Sequence, residues 1–141
     1  MPDPVPPRNP TMNIAASALR AQQSRMRIIA ENIANAQSTA LVAGGEPYRR
    51  QMPVFQTQAL DGGTGVQLAA VRPDMGDFSM EYDPSHPAAN DEGYVMRPNV
   101  DTLVEAMDMR EAQRAYEANL NVIETARSMA STRVSTLGRI T

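Results

Sequence analysis

The residues able to do chemistry are few and gather in one polar stretch, Asp83-Pro-Ser-His-Pro-Ala-Ala-Asn-Asp-Glu-Gly-Tyr94. It offers Asp83, His86, Asn90, Asp91 and Glu92 as cation ligands. A calcium loop of the EF-hand type starting at Asp83 needs a glycine at its sixth position and an acid at its close. Ala88 and Tyr94 stand there instead. With one His and no Cys in the chain, a zinc site would need three carboxylate or amide partners, an unusual set. Two prolines and an Asn-Asp-Glu-Gly end read more simply as consecutive turns. Gly62-Gly-Thr-Gly65 has only the outline of a phosphate loop: no lysine follows, and Val66 to Val71 reads as a strand where a helix should begin. His86 has no Ser or Asp at the spacing of a triad. The carboxylate pairs Asp91/Glu92 and Asp108/Glu111 fall in a turn and on a solvated face, where nothing raises a pKa. No enzyme, cofactor or metal is expected.

Composition narrows the class further. The chain has 141 residues and a net charge of −3, which argues against nucleic acid as a partner. Aromatics are only 4% and Trp is absent, while Met numbers 10; such an adaptable core suits helix-on-helix packing. All 13 cations are Arg, a bias that genome-wide codon usage explains better than function does. Without Cys there are neither disulfides nor thiolate metal sites. No basic segment leads into an apolar one at the start, and no run approaches about 18 apolar residues. Neither Sec export nor membrane insertion is expected, and a route that reads no cleavable signal stays open.

The positioning elements must then be helices at the two ends. Met1–Pro10 holds five prolines and is expected to be an extended tail over 1–11. From 12 to 37 an amphipathic helix is expected, with an inward seam of Met12, Ala15, Leu19, Met26, Ile29, Ile33 and Ala36, and Gln22 as its polar exception. Arg20, Arg25 and Arg27 would make its outer face basic. Residues 38–99 hold most of the glycines and read as a few short strands (48–59, 65–72 and 78–82) in an irregular insertion that needs a helix to cover it. A long helix over 100–138 follows, with Asn99 or Asp101 as its N-cap and Gly138 as its C-cap. Its seam is Met109, Ala112, Tyr116, Ile123, Ala126, Ala130 and Leu137, widened by Ala115, Val122 and Met129. Glu111, Arg114, Glu117, Glu124 and Arg127 alternate in sign outside it. The fold class is therefore mainly α with a small β-containing insertion, the terminal helices forming a coiled-coil-like pair. The long helix spans roughly 55 Å and the first about 37 Å, so part of the long helix stays uncovered within one chain.

Ala18-Leu-Arg-Ala-Gln-Gln-Ser-Arg-Met-Arg-Ile-Ile-Ala-Glu-Asn-Ile-Ala-Asn-Ala-Gln-Ser-Thr39 resembles the N-terminal signature of bacterial flagellar axial proteins. Within that group, three segments resemble basal-body rod proteins of the proximal C type. These are Pro47-Tyr48-Arg49-Arg50, the run from Tyr82 to Val100, and Glu111 to Asn119. The second carries Asp83, Pro84, His86, Pro87, Gly93, Tyr94, Pro98 and Asn99. The resemblance spans about Met12 to Leu137. It implies a structural role: passage through the flagellar type III export apparatus without a cleaved signal, then polymerisation into the rod that crosses the periplasm and transmits torque. The implied partners are further copies, the other proximal and distal rod subunits and the rod-to-membrane-ring junction protein. The two seams, with Asn119 added, would be the assembly surface. The rival reading is a helical adaptor or secretion-associated chaperone that binds through amphipathic helices. It leaves the Pro-Tyr-Arg-Arg and Asp-Pro-Ser-His-Pro segments without a purpose.

Overall fold

A computed structural model describes residues 9–140, and for 134–137, 139 and 140 the backbone course alone. The first helix, α1, runs Pro10–Ala34. Pro10 belongs to it rather than to the proline-rich tail, because a proline at the first helical position gives up an amide that has no partner there anyway. Asn9 caps it: its side-chain oxygen accepts from the Met12 amide at 3.3 Å. The expected end near Gln37 moves back to Ala34. Asn35 turns both its amide and its side chain onto the Glu31 carbonyl, and the backbone leaves the helix. Residues 1–8, with Pro2, Pro4, Pro6 and Pro7, lie outside the described residues.

Strands β1 (Gln51–Leu60) and β2 (Gly63–Pro73) form one antiparallel hairpin, with a register shift at Val54/Phe55. Gly62 turns it at φ +84°, where a side chain would be strained and would also run into Pro10. Strands β3 (Ser79–Tyr82) and β4 (Tyr94–Arg97) form a second, shorter hairpin. β4 is not among the strands expected from the sequence, and only its first residue, Tyr94, falls in the expected turn segment. Four residues flanked by Gly93 and Pro98 are too short to show an alternation.

The last helix, α2, is continuous over Thr102–Ile140. Asp101 is the cap, its carboxylate accepting from Leu103 and Val104. Asn99 is used elsewhere. Gly138 lies inside the helix instead of ending it.

The hairpin β1–β2, α1 and α2 form three layers with α1 in the middle. The insertion is thus covered by α1, and α1 has two working faces where one seam was expected. Towards the hairpin it presents Ile14, Ser17, Ala21 and Ser24. Ser17 accepts from the Val66 amide at 3.2 Å, and Ile14 sits against Gly63. Towards α2 it presents Arg25, whose guanidinium meets Glu111 at 3.5 Å. That arginine bridges the helices rather than decorating an outer basic face. The 25 residues of α1 and the 10 of β1 span similar lengths, roughly 37 and 34 Å. The hairpin therefore lies along α1 from its base near Asn32 to its tip at Pro10.

Candidate functional site

All layers converge at the base of the hairpin, and the side chains gathered there are polar. At the end of α1, Asn32 is almost wholly buried. Its oxygen accepts from the Tyr48 hydroxyl at 2.7 Å and the Gln51 amide at 2.9 Å, while its nitrogen donates to the Gln51 carbonyl at 2.9 Å. A buried asparagine with every backbone partner met is a specific joint, since each unmet group would carry the full cost of its lost hydration. Burial pushes the Tyr48 phenol above its ordinary pKa, and the charges of Glu31 and Glu105 push it the same way.

Two residues after Tyr48, Arg50 ties three segments together. Its Nε donates to Glu105 Oε1 at 2.5 Å and one Nη to Asp74 Oδ2 at 3.3 Å. Its backbone amide donates to Asn99 Oδ1 at 2.7 Å. The Asn99 amide in turn donates to the Asp74 carbonyl at 2.9 Å. Arg49 donates to the carbonyls of Asp74 and Gly76, both at 2.8 Å, and its guanidinium carbon stands 4.1 Å over the Phe78 ring. Glu105 is 1% exposed, in the first turn of α2. The Glu105 hydrogen bond, more than any other cause, holds the Arg50 guanidinium above its ordinary pKa, so Arg50 keeps its charge throughout the physiological range. Pro-Tyr-Arg-Arg and Pro-Asn-Val, about fifty residues apart in sequence, are two halves of one junction. Glu105 is the member that sequence reasoning missed. An acid in the first helical turn reads as a dipole partner, and nothing local marks it as buried.

The Asp83–Tyr94 segment is a second, separate cluster that closes the β3–β4 hairpin. Asp83 accepts from Ser85, His86 Nδ1 accepts from the Ala88 amide at 3.0 Å, and Asn90 Oδ1 accepts from the amides of Glu92 and Tyr94. Pro84 packs beside Gly93, Tyr82 and Tyr94 meet edge to face at 5.2 Å, and Pro87 stays exposed. The Asp83, Ser85, His86 and Asn90 side chains shape their own loop, Asp91 and Glu92 are exposed, and no acid or histidine cluster able to hold a metal occurs among the described residues.

The remaining nominated residues follow the helices. On α2, Met109, Tyr116, Asn119, Ile123 and Ala126 are half-buried and Ala112 fully so. With Glu105 they make one heptad stripe. Val122, Met129 and Ala130 are exposed, and the Leu137 side chain lies outside the described residues. On α1, Ala15 and Ile29 are buried, Met12, Leu19 and Met26 half-buried, and Ile33 exposed, while Ala36 is buried in the turn just past the helix. With Arg25 set against Glu111, the helices run antiparallel and Pro10 lies opposite Ala126. Arg127 to Ile140 therefore extend beyond α1 by roughly 21 Å. Where α1 stops, Pro10 and Thr11 form an open groove with Val122, Ala126 and Met129.

Comparison with known proteins covers both ends of this architecture. Residues 12–40 match the family described as flagella basal body rod protein, and residues 91–137 match the flagellar basal body rod FlgEFG protein C-terminal family. The flagellar basal-body rod protein FlgC of Agrobacterium fabrum is 45% identical over 134 residues, covering 93% of this chain and 96% of that protein. The chain belongs to the flagellar basal-body rod protein family. FlgC of Bacillus subtilis is 38% identical over 136 residues, covering 84% of this chain and 91% of its own length. FlgC of Salmonella typhimurium is 41% identical over 121 residues, covering 83% and 88%. The two family matches fall on α1 and on β4 with α2. The hairpin β1–β2, with Arg50 and Asp74 at its base, lies between them, within the reach of the FlgC relatives, while Asn99 and Glu105 fall in the second match.

Proposed function

We propose that this chain is a structural subunit of the proximal rod of the bacterial flagellum, polymerising through its two terminal helices. Membership of the rod family makes it a structural protein of the flagellar basal body, not an enzyme. The observation that carries the mode of assembly is the mismatch between α1 and α2. Past Ala126 the long helix outruns α1, and Val122 and Met129 stay exposed beside the groove at Pro10. An isolated helical segment is marginal in water and gains its stability from packing. The extension is therefore a surface for neighbouring subunits, with α1 and α2 continuing as a coiled-coil-like pair in the assembled shaft.

The partners in this reading are further copies, the other proximal and distal rod subunits, and the rod-to-membrane-ring junction protein. The flagellar export apparatus delivers the subunit to the periplasm without cleavage of a signal. The layered body bears load: α1 is gripped on one side by the hairpin and on the other by α2, so torque on one layer passes to the next. Deletion of the gene in its host tests the assignment. Loss of hooks and of swimming, restored by the gene supplied in trans, is the expected result. A deletion strain that builds hooks and swims would overturn it.

A further inference from the structure

We propose that Arg50, half-buried, and Glu105, fully buried, form a latch that sets the angle between the β1–β2 hairpin and α2, with orientation rather than stability as its contribution. The two elements are joined otherwise by the Asn99 bonds ahead of α2 and through α1, which Asn32 ties to β1 but whose other buried positions are mostly small or aliphatic, such as Ala15, Ala21 and Ile29. Apolar ladders of that kind hold layers together but tolerate sliding and rolling. A directional polar contact within an apolar seam selects one register. Glu105 supplies such a contact on the α2 stripe, one heptad before Ala112.

The receiving side is held still. Arg50 stands at the entrance to β1 and Asp74 just past the exit from β2. Their backbones bond to each other at 2.7 Å from the Asp74 amide to the Arg50 carbonyl. Asn99 bonds both, accepting from Arg50 and donating to Asp74. The Arg50 backbone is thus fixed at the base of the hairpin, and its guanidinium is held there by Asp74 Oδ2 at 3.3 Å. The arrangement also carries a cost that a purely stabilising contact would not. Glu105 Oε2 is buried with no hydrogen-bond partner among the described residues. An apolar pair of the same size is commonly as stable as a buried ion pair, or more so, and lacks its directionality.

The test uses the full-length chain, which has no native cysteine. Spin labels go on exposed sites, at Thr57→Cys on the hairpin and Glu117→Cys on α2, and the distance distribution is measured by double electron–electron resonance. The parent should give one narrow distance. Arg50→Met with Glu105→Leu should melt at or above the parent temperature while the distribution broadens about twofold. Glu105→Gln, which keeps an acceptor for Arg50 Nε, should stay narrow. The latch is overturned if the double variant keeps the parent distribution, if it melts well below the parent, if Glu105→Gln broadens as much, or if the parent has no defined distance. Because the readout is taken on the isolated chain, it stands apart from the outcome of the gene deletion.

Discussion

The Tyr48 hydroxyl and the Asn32 side-chain oxygen, 2.7 Å apart, fasten the end of α1 to the chain just before β1. Asn32→Leu should cost about 3 kcal/mol, because the Gln51 amide and carbonyl are both left buried and unpaired; Tyr48→Phe should cost about 1 kcal/mol. Urea unfolding followed by circular dichroism measures both, and equal losses would show that Asn32 is not the centre of the joint.

The same tyrosine gives the fold an alkaline limit. Its folded pKa lies above the ordinary 10.0, chiefly through burial. The folded chain thus holds this proton more tightly than the unfolded one. The contribution is complete below the unfolded pKa and is lost as pH rises through the higher folded value. Tyr48→Phe should flatten the fall in melting temperature above pH 10.0; an unchanged slope would exclude Tyr48 as its source.

Gln22 faces the interior with its side-chain oxygen buried and unpartnered among the described residues. Gln22→Leu should stabilise the chain by about 1 kcal/mol, since the buried amide is removed at similar volume. The check is a rise in the urea midpoint with an unchanged slope. A fall would mean that the amide makes a contact the fold needs.

Gly93 has φ +89°, and a Cβ there would stand 2.9 Å from the Tyr82 ring and 3.1 Å from Pro84 Cβ. Gly93→Ala should therefore cost about 1–3 kcal/mol through backbone strain and displacement of the Tyr82–Tyr94 pair. Thermal melting reads the loss. An unaltered melting temperature would show the hairpin closure to be soft.

Met129 and Met26 separate folding from assembly. Met129 is 62% exposed, so Met129→Asp should leave unfolding of the isolated chain within about 0.5 kcal/mol of the parent and still abolish motility. Met26→Asp and Ile123→Asp place a charge at half-buried seam positions and should impair both. Swimming at the parent level with Met129→Asp would refute a role for the extension beyond Ala126.

How much of this was legible in the sequence differs by element. The helices were, because a 3.6-residue period over Met109, Ala112, Tyr116, Ile123 and Ala126, without Gly or Pro, is a local property that survives any packing. The boundaries shifted by a few residues where one side chain decided them, as at Asn35 and Pro10. β4 was hidden because a four-residue strand has no period to show. Two family motifs stood out in sequence without a reason for their residues, and the reason was contact across the fold. Arg50, Asp74, Asn99 and Glu105 meet only after the hairpin returns on itself.

The sequence by itself determined the two amphipathic helices, the broken stretch between them and the inequality of their lengths, since all of these follow from spacing and backbone preference along the chain. Only the tertiary structure decided that α1 lies between two layers, that Arg25 turns inward to Glu111, and that Glu105 is buried against Arg50. The period of a helix says which residues share a face; what covers that face is settled by elements far away in the chain.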